Sequence, residues 1–224
     1  MKKIKMALSK EEINRKLLHI LSGSLIPLGI FYIPRIFKVP NWIPVLILGI
    51  LLFLSLVTEL IRFKFTAIQK LFFKLVGSML RQEENKKLTG ATYIFGSAFL
   101  CTIFFYNQPH ISFMVISMFI FGDAVAAIVG LSIGKIKIGK KSLEGSLACF
   151  FLCLIMCFFV FPNIPELLFK WNGYFPLPLV LLASLSITVF ELFPFKVYKD
   201  VVINDNLIVP IVTGFIMVKI YPLL

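Results

Sequence analysis

Apolar runs of about bilayer length recur seven times along this 224-residue chain, at roughly 17–34, 41–61, 89–106, 110–133, 145–161, 177–195 and 207–222, with short polar breaks between them. About 20 mostly apolar helical residues cross the hydrocarbon core of a membrane, because a helix satisfies its own backbone hydrogen bonds where water is absent. A hydrophobic content of 59% exceeds the roughly 45–50% of soluble domains. The pattern predicts an all-α, polytopic integral membrane protein of about seven transmembrane helices, folded as one domain over 1–224. The first run follows MKKIKMALSKEEINRK, lacks an evident small-residue cleavage site and is long, so it reads as a retained helix rather than a targeting segment. Between 62 and 88, Phe63, Phe65, Ile68, Leu71, Phe72, Leu75 and Val76 recur at helical spacing against Lys64, Lys70 and Lys74. That is the pattern of a basic amphipathic helix lying on the cytoplasmic surface.

The net charge of +12 is unevenly spread. With the N-terminus in the cytoplasm, 19 of the 23 Lys and Arg fall on the cytoplasmic side, leaving Arg35, Lys38, Lys170 and Lys219 on the other. The positive-inside bias therefore predicts a cytoplasmic N-terminus and a C-terminus on the opposite side. Topology and anionic lipid account for the charge, which excludes a nucleic-acid partner. Cys149, Cys153 and Cys157 repeat every four residues along one helix face and read as a packed stripe of small apolar residues rather than a metal or redox site.

Ionisable groups at membrane depth are expensive and persist when paired or functional. They are His19, Glu59, Asp123, Glu191 and, opening the last run, Asp205 with Asn206. Most fall near the cytoplasmic ends of their helices, where they could converge on one inward-facing site. Asp123 is framed by Gly122, Ala126 and Gly130, a ridge of small residues that admits a neighbouring backbone. It either hydrogen-bonds across that contact or serves a metal-bound phosphate. The following stretch, SIGKIKIGKKSLEGS over 132–146, nearly spells a P-loop, but Lys141 stands where Ser or Thr would hold magnesium, and the preceding segment is a membrane helix instead of a strand. What survives is an anion cradle: Ser142 capping a helix whose first turn offers free N–H groups, with Gly139, Lys140, Lys141 and Gly145 around it. Arg15, His19 and Ser22 share a helix face, with Lys16 beside them, while His110 reads as a surface residue of an outer loop.

Five motifs in order, RKLLH at 15–19, LTGATY at 88–93, GDAVAAIVG at 122–130, GKKSLEGS at 139–146, and Glu191-x-x-Pro194 with NDNLIVP at 204–210, together resemble the CTP-dependent lipid-alcohol kinases. That family includes dolichol kinase, phytol kinase, the eukaryotic CTP-dependent diacylglycerol kinase and small prokaryotic diacylglycerol/polyprenol kinases. The resemblance implies a polytopic enzyme that moves the terminal phosphoryl group of CTP to a lipid hydroxyl at the cytoplasmic interface, with magnesium. Carried over by position, it marks Asp123, Glu144 and Asp205 as candidate metal ligands. Asp123, His19 and Glu144 become candidate catalytic residues, with Asp123 or His19 orienting the lipid hydroxyl. It marks Arg15, Lys16, Gly122, Gly139, Lys140, Lys141, Ser142, Gly145, Ser146 and Asn206 as candidate nucleotide-binding residues. Asn204 stands where the family pattern often has Asp, which leaves one fewer carboxylate for a metal.

Two rival expectations remain. A phosphatidate cytidylyltransferase also uses CTP and magnesium but releases pyrophosphate, and its acidic C-terminal signature is not evident here. An ion-coupled transporter would line a path with Asp123, Glu59 and Glu191, yet the paired repeats common in transporters are missing and the charge gathers on one side.

Overall fold

The computed structural model describes residues 10–77, 80, 82–171, 173–193, 195–198 and 201–220. The first lysines of the chain, Pro194 and Lys199 lie outside the described residues. Each of the seven apolar runs forms a helix: α1 (Lys10–Ile36), α2 (Trp42–Lys64), α4 (Gly90–Phe104), α5 (Pro109–Ser132), α6 (Leu143–Ile155), α8 (Leu177–Leu192) and α9 (Asp205–Ile220). The amphipathic segment forms α3 (Thr66–Val76), and the loop after α6 holds the single turn α7 (Pro165–Leu168). Two hairpins complete the fold: β1 (Lys137–Ile138) with β2 (Lys141–Ser142), and β3 (Phe195–Tyr198) with β4 (Val201–Ile203).

Among the described residues, four segments, Arg15–Ile36, Trp42–Lys64, Pro109–Ser132 and Leu143–Asn163, are long and apolar enough to cross a membrane. The last is α6 extended by a π-helical turn at Met156–Val160. Helices α4 and α8 have 15 and 16 residues. At 1.5 Å per residue they reach about 22–24 Å, short of the roughly 30 Å hydrocarbon core. Among the described residues, length and composition thus support four candidate spans, and the expectation of about seven goes beyond that count.

Helix α5 is the axis of the bundle. In its apolar window 61% of residues are buried, against 22% for α1 and 17% for α2, so α1 and α2 keep most of their apolar surface on the outside. Along α5, Ile111, Met114, Val115, Met118 and Phe119 are all buried in one continuous core with Phe31 of α1 and Ile187 of α8. His110 belongs to this core rather than to a surface loop. It is 6% exposed and meets Trp171 edge-on at 5.2 Å between ring centroids, because α5 begins at Pro109 and carries it inward.

The small residues of GDAVAAIVG face α6. A Cβ built on Gly122 would lie 2.8 Å from Cys149 Sγ, and one on Gly130 would lie 2.7 Å from Ser142 Oγ and 3.8 Å from the Gly145 Cα. All four cysteines are buried free thiols, so the stripe at 149, 153 and 157 packs this close crossing. Gly122→Ala should therefore lower the apparent melting temperature of the detergent-solubilised protein, with overpacking costing about 1–3 kcal/mol. Adding Cys149→Ala should restore most of it; equal melting of single and double variants would contradict this packing.

Candidate active site

Asp123 is 8% exposed in the second half of α5. An ionised carboxylate there needs a cation, and α1 supplies it from 107 residues away: Lys16 Nζ donates to Asp123 Oδ2 at 2.5 Å. Lys16 is itself 3% exposed. One turn along α1, His19 Nε2 lies 3.8 Å from the same oxygen. The basic face of RKLLH thus meets the carboxylate of GDAVAAIVG, joining two motifs that sequence alone keeps apart.

These groups line a cleft of about 350 Å³. Arg15, Lys16, His19 and Ser22 of α1 form one wall, and Asp123 is at the side of α5. Glu84, Thr89 and Gly90 bring in the LTGATY turn, Asn204 and Asn206 bring in the start of α9, and Phe72 and Val76 of α3 border the cleft with apolar side chains. Helix α9 starts here because Asn204 caps it, its Oδ1 accepting from the Asn206 N–H at 3.0 Å. The Asn206 side chain then donates to the Gly90 carbonyl at 3.4 Å, tying α9 to α4.

The remaining predicted residues form a second group beside the cleft. Lys141 leaves β2 toward α8 and α9, where Nζ is 2.6 Å from Glu191 Oε1 and 3.0 Å from Asp205 Oδ2 and also donates to the Glu191 carbonyl. Burial alone would lower its pKa; the Glu191 and Asp205 carboxylates reverse that and raise it, so Lys141 stays protonated through neutral pH. Lys141 is therefore shared between two carboxylates, and Asp205, predicted as a metal ligand, pairs with it and lies outside the cleft lining. Glu144 also lies outside the cleft lining. Its Oε1 accepts the Lys135 and Ile136 N–H groups at 2.8 and 3.1 Å, which pins the loop before β1.

The anion cradle is likewise occupied by its own chain. Ser142 caps α6 by accepting from the Gly145 N–H at 3.2 Å, and Ser146 Oγ donates to the Ser142 carbonyl at 3.1 Å. Gly139 has φ +60 and, with Lys140, makes the two-residue turn of the β1–β2 hairpin, a conformation glycine adopts without strain. Gly122, Gly139, Lys140, Lys141, Ser142, Gly145 and Ser146 thus fall outside the cleft lining, whereas Arg15, Lys16, His19, Asp123 and Asn206 are in it. Among the described residues no three His, Cys, Asp or Glu side chains gather as a ready-made metal cage.

Sequence reasoning missed Arg62 and Glu84. Arg62 is fully buried, and Nε donates to Glu59 Oε2 at 2.6 Å. Its other nitrogens donate to the carbonyls of Glu84 and Lys87, at 2.9 and 2.6 Å. Glu59 Oε1 accepts from the Thr89 N–H at 2.9 Å and from Thr92 Oγ1 at 3.1 Å. Glu84 Oε1 in turn accepts from the Gly90 N–H at 2.9 Å. This buried knot fixes the LTGATY turn against the end of α2, so one cleft wall depends on it. The readable signal was the i,i+3 spacing of Glu59 and Arg62 at the end of an apolar run.

No protein-family model matches the chain, and no solved structure matches it. Curated proteins do. A protein of Rickettsia prowazekii described as uncharacterised is 27% identical over 204 residues, covering 89% of this chain and 90% of its own. The CTP-dependent diacylglycerol kinase 1 of Schizosaccharomyces pombe is 28% identical over 219 residues, covering 93% of each chain. The protein of the same name from Saccharomyces cerevisiae is 30% identical over 154 residues, 67% of this chain and 50% of that one. The chain is a distant homologue of CTP-dependent diacylglycerol kinases. Likeness to the S. pombe kinase runs over nearly the whole chain, so it is not confined to one motif.

Arg62→Met should destabilise the protein strongly, by about 3–5 kcal/mol, because Glu59 would be left as a buried unpaired charge. Glu59→Gln combined with Arg62→Met should recover part of the lost melting temperature; no recovery would mean that Arg62 acts through the 84–87 carbonyls alone.

Proposed function

We propose that the chain is a membrane lipid kinase that transfers the terminal phosphoryl group of CTP to the hydroxyl of a lipid alcohol, such as diacylglycerol, a polyprenol or phytol, at the cytoplasmic interface. The observation that carries the reading is the cleft in which Arg15, Lys16 and His19 meet Asp123, in a chain homologous to CTP-dependent diacylglycerol kinases. Phosphoryl transfer asks the protein mainly for positioning and charge neutralisation, and two cations beside one carboxylate suit that task.

In this reading Arg15 and Lys16 bind the triphosphate, with Lys16 exchanging Asp123 for phosphate oxygens. His19 orients the lipid hydroxyl and takes its proton as the oxygen attacks the terminal phosphorus. The bond to the bridging oxygen breaks, and CDP leaves. Magnesium carried by a nucleotide prefers one or two carboxylates with phosphate oxygens and water. Asp123 and Glu84, both on the cleft wall, fit that requirement and would hold it. The ion would neutralise charge developing on the transferred group. Asp205 and Glu144 lie outside the cleft lining and serve the fold around it.

Purified protein offered CTP and each lipid alcohol in turn should yield lipid phosphate and CDP; pyrophosphate would identify a nucleotidyl transfer instead. Asp123→Asn should abolish the reaction with the protein still folded, since the amide can still accept from Lys16. His19→Ala should lower kcat by about 10²–10⁴-fold. Near-normal turnover in either variant would overturn the assigned role.

A further inference from the structure

A second cavity, of about 280 Å³, adjoins the cleft. It runs between α1 and α2, and its lining from Ser22 to Ile33 of α1 and from Pro44 to Leu51 of α2 is apolar apart from Ser22. The hydroxyl of Ser22 is satisfied within its own helix, donating to the Leu18 carbonyl at 2.6 Å. Ile30 and Leu48 form a closed floor at 2% and 4% exposure, while Leu25 at the rim is 68% exposed. The groove is therefore open on the side that a bilayer would cover.

The two cavities share Ser22, Ile26 and Phe95, so the groove leads into the cleft. From Ser22, His19 is less than one helical turn away along α1. From Ser22 to Ile33 the groove extends about 16 Å, half of the roughly 30 Å hydrocarbon core and so the depth of one leaflet. An apolar channel one leaflet deep, ending at a polar cleft, matches an amphipathic molecule with one chain in the groove and its head in the cleft.

We propose that the α1–α2 groove receives one hydrocarbon chain of the lipid alcohol and brings its hydroxyl to His19. This rests on the kinase reading above and adds the subsite that selects among substrates by chain. Gly29 is the point where the groove is widest to substitution. A Cβ there meets only Ile33 Cδ1, at 3.5 Å, so a larger side chain would enter the groove without striking the core.

The test uses the full chain in phosphatidylcholine nanodiscs with a long-chain diacylglycerol carrying a mid-chain diazirine. Photolabelling should map to Leu25, Ile33, Ile47 and Leu48, be competed by unlabelled diacylglycerol, and be lost in Gly29→Leu. The same variant should lose about tenfold or more in kcat/KM for long-chain diacylglycerol while keeping turnover of a short-chain analogue. Labelling spread over the outer helices without competition overturns the proposal, as does a Gly29→Leu enzyme with unchanged chain preference. Competed groove labelling in a protein that phosphorylates no lipid alcohol would defeat the kinase reading and leave the groove as a lipid-chain site. Normal kinase activity with scattered labelling would do the reverse.

Discussion

A carboxylate held at 8% exposure within an apolar helix cannot stand without a cation, and Asp123 obtains one from Lys16. That requirement seats α1 against the axis helix α5 at a fixed height. Gly23 makes the approach possible, since a Cβ there would lie 3.2 Å from Ile120 side-chain atoms. Once α1 is set, Arg15 and His19 have their places, and the cleft has its basic wall. Beside it, Lys141 repeats the device, one cation answering Glu191 and Asp205 and drawing β2, α8 and α9 together. Asp123 also contributes to holding Lys141 protonated, so the two clusters lie within electrostatic reach of each other.

Much of the helical order was legible. Apolar run length located all seven helices, although α1 begins at Lys10, well before its run, and α6 ends at Ile155, before its run does; the 3.6-residue spacing located α3. The number of full spans was less so, because a run of apolar letters continues past a helix that ends at Phe104 or Leu192. His110 looked exposed because a neighbouring Pro and Asn suggest a loop, yet Pro109 starts α5 and turns the ring against Trp171.

In the cleft, the residue types were readable and their pairings were not. Local spacing places Arg15, His19 and Ser22 on one face; it carries no information about a partner 107 residues away, nor about which of three carboxylates Lys141 would answer. The glycines of GDAVAAIVG and GKKSLEGS gave an ambiguous signal, because a phosphate and a helix backbone ask for the same absence of a side chain. Here close packing accounts for three of them: Gly122 lies against the Cys149 side chain, Gly130 against Ser142, and Gly145 against the Ala126 carbonyl.

The Lys16–Asp123 pair also sets the terms on which anything enters the cleft. The chain carries the counter-charge for this buried carboxylate within its own sequence, so the architecture is neutralised there without borrowing an ion from solvent. A cation that reaches Asp123 arrives as a competitor of a side chain already seated, and an anion that reaches Lys16 competes with Asp123. Occupancy of such a site is an exchange of partners rather than an addition, and a ligand bearing both signs, with its anion and its counter-ion together, displaces the pair without leaving either half alone.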